Sequence, residues 1–117
     1  MSLRALGQSQ STAVDVTIAN GQTTSGAADL SHGSTLIAIS MPAAFTGTAL
    51  TFTGCDTSDG TFKALYDSTG TAVTATCAAS RYIVLDAALF AGVPYLKVVS
   101  GSAEGAARTV RLIVRNV

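Results

Sequence analysis

Short runs in which apolar and polar residues alternate make up most of the chain. The first run, VDVTIA at residues 14–19, has valine or isoleucine at every second position and ends at Asn20-Gly21, a strong hairpin turn signal. Seven later runs follow the same pattern: STLIAISM, ALTFTGC, TFKALYD, TAVTATCA, RYIVLD, PYLKVVS and TVRLIVRNV. Runs of this kind, separated by turn residues every 8–12 residues or so, are typical of an all-β sandwich or barrel. The pattern predicts about eight or nine strands.

The run STLIAISM predicts a strand in the middle of a sheet. Strict alternation would place Leu36 and Ala38 on one face of this strand and Ile37 and Ile39 on the other. Apolar residues on both faces indicate a strand that is covered twice, and Pro42 ends it.

Helical signals are weak, so the predicted fold class is all-β. The segment DAALFAG could form one helical turn, with Asp86 as its N-cap and Gly92 as its terminator, but it is too short to be stable alone. The sequence predicts a single-domain antiparallel β-sandwich, jelly-roll-like, over residues 14–117. The polar, aperiodic residues 1–13 predict an extended or flexible N-terminal arm.

Composition restricts the partners. The 117 residues fit one domain, 48% are hydrophobic and only 12% are charged, with a formal net charge of zero. Soluble domains average about 25% charged residues. The few basic residues are scattered and offset by acids, which argues against binding nucleic acid. A neutral, charge-poor surface favours self-association, so we expect a homo-oligomer whose surface is covered by partners.

Three arginines, Arg108, Arg111 and Arg115, gather near the C-terminus. Val110, Leu112 and Val114 should face the core, which places Arg111 and Arg115 on the opposite face of the strand. The mixed spacing of the arginines favours a small rim of salt bridges over a phosphate site.

Targeting and cysteine signals are also informative. No apolar run reaches the eighteen or so residues that a membrane helix needs, so we predict no membrane association. The N-terminal segment lacks the apolar region of a signal peptide, which predicts that the protein is not secreted by that route. Cys55 and Cys77 are then expected to be reduced thiols that pack as small hydrophobic side chains.

The stretch TFTGCDTSDGTF, residues 51–62, is the main candidate for chemistry. Two carboxylates, Asp56 and Asp59, fall short of the five or more oxygens of a calcium loop, and acids on a polar turn are too solvated for acid–base work. The same residues are sufficient for a hairpin turn, in which Asp59-Gly60 would supply a residue with left-handed backbone conformation. Phe52 and Phe62 would then be candidates for the same face.

Other catalytic signals are absent, so we predict no enzyme and no catalytic, cofactor-binding or metal-binding residues. His32, the single histidine, lies in the turn-like SHGS and is the only side chain that could serve as the base of a hydrolase. The chain has no nucleotide-binding glycine motif. Tyr66, Tyr82 and Tyr95 could form a platform for sugar rings, although aromatic residues more often belong to the core or its rim.

An ordered set of motifs over the central two-thirds of the chain resembles a family of small proteins from tailed bacteriophages. Each motif joins a turn to a strand; they are Met41-Pro42 with Phe45–Gly47, the SDGTF hairpin Ser58–Phe62, Leu65–Asp67 with Gly70, and Phe90–Gly92 before the strand Tyr95–Ser100. The SDGTF hairpin also resembles a turn found in carbohydrate-binding β-sandwich domains.

This resemblance implies a structural protein of the virion with a β-sandwich or jelly-roll fold. A head decoration or cement protein that binds the major capsid protein and stabilises the shell is the first expectation, and a neck or tail component is the second. The implied location is the virion, assembled in the bacterial cytoplasm. A glycan-binding β-sandwich module is the alternative from a different functional class. The resemblance implies no catalytic residues.

Overall fold

The computed structural model describes residues 11–116. Nine β-strands and one short 3₁₀ helix make up this part of the chain. The strands are β1 (Ser11–Ile18), β2 (Ala28–Asp29), β3 (Ser34–Ser40), β4 (Ala49–Cys55), β5 (Lys63–Ala64), β6 (Thr74–Thr76), β7 (Tyr82–Val84), β8 (Tyr95–Ser100) and β9 (Arg108–Asn116), and the 3₁₀ helix is Ala87–Leu89.

The strands form two antiparallel sheets, which confirms the predicted all-β sandwich. Sheet A has the order β1-β9-β3-β7, and sheet B has the order β2-β8-β4-β5, with β6 also paired to β4. The pairs β1·β9, β2·β8, β3·β7 and β4·β5 are nested inside one another along the chain. Strands that are distant in sequence therefore lie side by side.

The core lies between the inner faces of the two sheets, and the period-two alternation produces it. Val16 and Ile18 of β1 are buried there, whereas Asp15 and Thr17 of the same strand are exposed. Two buried rings, Phe52 of β4 and Phe90 after the 3₁₀ helix, meet edge-to-face with their centroids 5.1 Å apart. Sheet B also contributes Ala28 of β2, Leu50 of β4, Ala75 of β6, and Leu96 and Val98 of β8 to the buried apolar residues.

Strand β3 is an inner strand of sheet A, as predicted, but its facing differs from strict alternation. Leu36 pairs with Val114 of β9 and Ala38 with Ile113, so the register shifts and Ile37 is the extra residue of a β-bulge. Leu36 and Ile39 consequently both belong to the core cluster, and Ala38 lies on the outer face. The prediction that Leu36 shares a face with Ala38, and Ile37 with Ile39, is therefore wrong because of the bulge.

The predicted boundary between arm and sandwich also needs correction. Strand β1 begins at Ser11, and its first three residues pair with Arg115, Val114 and Ile113 of β9. Residues 11–13 therefore belong to the sandwich, because the long strand β9 offers them partners. The rest of the predicted arm, residues 1–10, lies outside the described residues.

The stretch TFTGCDTSDGTF contains the end of β4 and the hairpin loop, residues 56–62, that joins β4 to β5, as predicted. Gly60, however, does not adopt the left-handed conformation. A Cβ atom there would lie 2.6 Å from the Cys55 sulfur and 2.5 Å from the Thr57 hydroxyl, so an alanine would require these two side chains to move. Phe52 is in the core, whereas Phe62 lies beneath the Lys97 ammonium, 4.4 Å from it. Lys97 pairs with Thr53, so Phe62 is on the outer face and the predicted shared face is wrong.

The predicted helical turn is present, and Asp86 is its N-cap. The Asp86 carboxylate accepts a hydrogen bond from the backbone nitrogen of Ala88 at 3.1 Å. The turn ends at Phe90 and not at Gly92, because the Phe90 N–H bonds back to Ala87.

Candidate interaction surfaces

An apolar row crosses the outer face of sheet A. The register places Ala13 of β1 beside Ile113 of β9, Ile113 beside Ala38 of β3, and Ala38 beside Val84 of β7. Val84 is 80% exposed, whereas Ala38 is only 4% exposed because larger neighbours flank it. We call these four residues the apolar row. Ala13 and Val84 are exposed at the two ends of the row, and Ile113, between Ala13 and Ala38, is half-buried.

A polar row runs beside the apolar row on the same face. Asp15 and Arg111, directly opposite each other, form a salt bridge of 3.1 Å, and the row continues through Ser40 to Tyr82. The hydrogen bond and the charge of Asp15 raise the pKa of the Arg111 guanidinium. Tyr82 is 62% exposed and adds its ring to the outer face beside Val84. The outer face of sheet A therefore combines an apolar strip with a paired charge.

The C-terminal arginines divide as the sequence predicted. Arg111 and Arg115 are exposed on the outer face, whereas Arg108 projects from the other side and binds Glu104 at 3.0 Å. Two of the three arginines thus form salt bridges, in keeping with the predicted rim of ion pairs.

Glu104 is a buried carboxylate that the sequence did not single out. It lies in the loop between β8 and β9 and accepts hydrogen bonds from the Thr46 nitrogen, the Thr46 hydroxyl and the Gly47 nitrogen, all within 3.0 Å. Its own carbonyl accepts a bond from the Gly21 nitrogen. Glu104 therefore joins three loops at one end of the sandwich.

The surroundings of Glu104 favour its charged form. Burial raises the pKa of this carboxyl, but the bonds from Thr46, Arg108 and Gly47 more than offset that effect and lower it below its usual value. Each oxygen is occupied by donors from the protein, so the group is suited to holding loops together. Two features of the sequence could have drawn attention to Glu104. It is the only glutamate in the chain, and it stands four residues before Arg108.

A cleft of about 660 Å³ opens at the sandwich end that carries the β4–β5 loop. Its lining includes Asp56 and Thr61 from that loop, Lys63 and Tyr66 from the segment after it, and Val93 from the loop before β8. Tyr66 is 63% exposed. The cleft thus offers an aromatic ring beside a carboxylate, an ammonium and a hydroxyl.

The three tyrosines do not form one platform. Tyr66 lines the cleft, and Tyr82 lies on the outer face of sheet A. Tyr95 pairs with Cys55 on the outer face of sheet B. A sugar-binding surface could therefore use only Tyr66 with its neighbours in the hairpin loop.

The remaining candidates are separate from one another. His32 is exposed in the turn before β3, and Asp56 and Asp59 are exposed in the hairpin loop. Between residues 11 and 116, no group of three His, Cys, Asp or Glu side chains could hold a metal ion. No helix in that range is long and apolar enough to cross a membrane.

Both cysteines are free thiols, as predicted, but their surroundings differ. Cys77 is buried in the core, and burial together with the nearby Glu104 raises the pKa of its thiol. Cys55 is half-buried at the cleft, so only Cys77 packs fully as a small hydrophobic side chain.

Comparisons with known proteins identify no family for the chain. No protein-family model matches the sequence, and a search of curated proteins found no match.

Proposed function

We propose that the protein is a structural component of a tailed-bacteriophage particle, and specifically a decoration or cement protein that binds the head shell and stabilises it. Two lines of support are independent of each other. The ordered motifs between Met41 and Ser100 resemble small phage virion proteins. The apolar row, which is exposed at Ala13 and Val84, is suited to docking on another protein.

The apolar row is the observation that carries the proposal. Exposed apolar patches on soluble proteins often mark sites of interaction with other proteins. Here the apolar row stands on paired strands, so its side chains lose little freedom when they bind. Many copies on a symmetric shell would then be held by modest individual affinities that add through avidity.

We also propose the finer fold assignment, a jelly roll. The nested pairs β1·β9, β2·β8, β3·β7 and β4·β5 are those of one long hairpin folded over into two layers of four strands, with β6 added beside β4 in the second layer. Jelly rolls are frequent in viral capsid proteins. The assignment agrees with the proposed role and does not depend on any catalytic group.

Binding to isolated heads tests the role. Purified protein is added to heads from a phage mutant that lacks it, and bound protein is measured after sedimentation. Val84→Asp should abolish binding, because a carboxylate would replace the most exposed side chain of the apolar row and would be buried in the contact. Tyr66→Ala, at the cleft, is the matched control and should bind normally.

Heat challenge tests the stabilising effect in the same heads. Heads with bound protein should release their DNA at a higher temperature than bare heads. Equal release temperatures would contradict a cement role. If electron micrographs show the protein bound only at the neck or tail, the second expectation, a neck or tail component, would replace the role in the head.

The cleft favours a second candidate function, glycan binding. A sugar ring could stack on Tyr66 while its hydroxyls bond with Asp56 and Lys63, and the cleft volume lies in the usual range of ligand sites. The test is binding to an array of bacterial-surface mono- and oligosaccharides. Tyr66→Ala should remove any signal, whereas Tyr82→Ala, equally exposed but on sheet A, should leave it intact. Absence of binding at high protein concentration would contradict this function.

A further inference from the structure

Among the described residues, strand β1 forms the long open edge of the sandwich. It has eight residues, all paired in unbroken register with β9 on one side. The other edge strands in residues 11–116 are short: β2 and β5 have two residues, and β6 and β7 have three. Proteins commonly protect long edges with bulges, prolines or lysines, and β1 has none of these.

The backbone groups on the open side of β1 can be assigned. The Thr17 carbonyl accepts a bond from the Gly26 nitrogen, so the peptide groups of Thr17 point away from β9. In an antiparallel ladder this direction recurs at every second residue. The N–H and C=O groups of Ser11, Ala13 and Asp15 therefore also point outward, and within the described chain no backbone group pairs with them.

We propose that this edge pairs with β1 of a second copy, antiparallel, around a two-fold axis at Ala13. Ala13 would face Ala13 of the second copy, and Ser11 would face Asp15 of the second copy. Each of these is a hydrogen-bonded pair, so all outward groups of the three residues gain partners. A two-fold axis at Asp15 instead of Ala13 would place two aspartates opposite each other, which like-charge repulsion disfavours.

Charge complementarity supports this register. Within each copy, Arg115 is the neighbour of Ser11. When Asp15 pairs with Ser11 of the second copy, Arg115 of that copy lies two strands away from Asp15. The Cα atoms of Asp15 and this Arg115 are then about 10 Å apart. Asp15 would then lie between its own Arg111 and a second guanidinium.

The pairing also covers apolar surface. Val14 faces inward but is only half-buried in one copy. In the proposed register it would face Thr12 of the second copy on the inner side. The two four-stranded sheets would become one eight-stranded sheet, and the two apolar rows would join end to end at Ala13.

This inference rests on the geometry of the open edge of β1. It extends the proposed function by specifying the strand through which two copies form the homo-oligomer. Sedimentation equilibrium of the purified full-length chain tests it without any phage particle. Wild-type protein should reach twice the 11.8 kDa mass of one chain. Ala13→Pro should weaken dimerisation about tenfold or more, because two N–H donors at the axis are lost.

Thr17→Pro is the matched control. It also removes an outward N–H from the same strand, but outside the stretch from Ser11 to Asp15, so the dimer should persist. Circular dichroism melts establish that both proline variants remain folded. A wild-type protein that is monomeric at sub-millimolar concentration would overturn the inference.

Cross-linking tests the register without depending on a proline. In a Cys55→Ser background, Ala13→Cys should form a covalent dimer with a short bis-maleimide, because the two sulfurs would meet at the axis. Thr17→Cys should not, since its two copies would be about 27 Å apart along the strands. Equal cross-linking of the two variants would overturn the register. A dimer that fails to bind heads would leave this inference standing and contradict the proposed function instead.

Discussion

The buried carboxylate of Glu104 accepts a hydrogen bond of 3.0 Å from the backbone nitrogen of Gly47, which lies 57 positions earlier in the chain. The contact connects the β8–β9 loop to the β3–β4 loop, and Arg108 completes it with a salt bridge of 3.0 Å. Glycine is needed at position 47, because a Cβ atom there would lie 2.7 Å from the Ser100 hydroxyl. One end of the sandwich is thus held by a charged group inside the protein.

Glu104→Ala should lower the free energy of unfolding by about 3–5 kcal/mol, because it leaves a partly buried Arg108, two backbone N–H groups and the Thr46 hydroxyl without their partner. Arg111→Ala is the control, since it breaks the exposed salt bridge to Asp15 and should cost less than about 1 kcal/mol. Urea unfolding followed by circular dichroism measures both. Equal losses for the two variants would contradict the role given to Glu104.

The stability contributed by Glu104 should depend on pH. The pKa of this carboxyl is lowered in the folded protein from an ordinary value of 4.5, so its contribution is complete above about pH 4.5 and is lost as the pH falls through the folded pKa. The wild type should therefore be more stable than Glu104→Gln at pH 6, and this difference should shrink towards pH 3. Asp29 and Asp67, whose pKa values are also lowered, are present in both proteins and cancel. A constant difference across this range would contradict the prediction.

Gly54→Ala should destabilise the protein by about 1–3 kcal/mol. An added Cβ would lie 2.7 Å from a Val93 methyl carbon and 2.9 Å from a Leu65 methyl carbon, both packed against the core. Gly26→Ala is the matched control, because its Cβ would meet no atom within 4 Å. Its stability should be unchanged or raised by up to about 1 kcal/mol. Thermal melts of the two variants provide the comparison, and a stable Gly54→Ala protein would show that the contact relaxes freely.

The two thiols should react at very different rates. Cys55 is half-buried at the protein surface, whereas Cys77 is 2% exposed and has a thiol pKa raised by burial and by Glu104. Labelling with Ellman's reagent should modify Cys55 first and Cys77 roughly a hundredfold more slowly, through local opening. Cys55→Ser should remove the fast phase alone. Two equal rates in the native protein would contradict the burial of Cys77.

The fold was largely predictable, because its main determinant is local. Alternation at positions such as 14, 16 and 18 is a property of the strand itself, and the turn signal Asn20-Gly21 appears as a turn with Gly21 at a φ of 77°. The N-cap role of Asp86 follows from its own side chain and the next two residues. These features could be predicted without knowing which strands pair.

The features that depend on pairing could not be predicted. The bulge at Ile37 follows from the register of β3 with β9, and the extra strand residues Ser11–Ala13 follow from the length of β9. The apolar row joins Ala13, Ala38, Val84 and Ile113, each of which looks ordinary in its own segment. The role of Glu104 could not be predicted for the same reason, because its partners Thr46 and Gly47 are remote in sequence.

We propose that the protein is part of the head shell, and its copy number in purified particles of the source phage tests this directly. The copy number is measured by quantitative mass spectrometry against the major capsid protein. We expect a fixed ratio that scales with the shell, one protein or one oligomer for each capsomer. A count of only a few copies per particle would contradict decoration of the shell, and complete absence from the particle would contradict a virion role altogether.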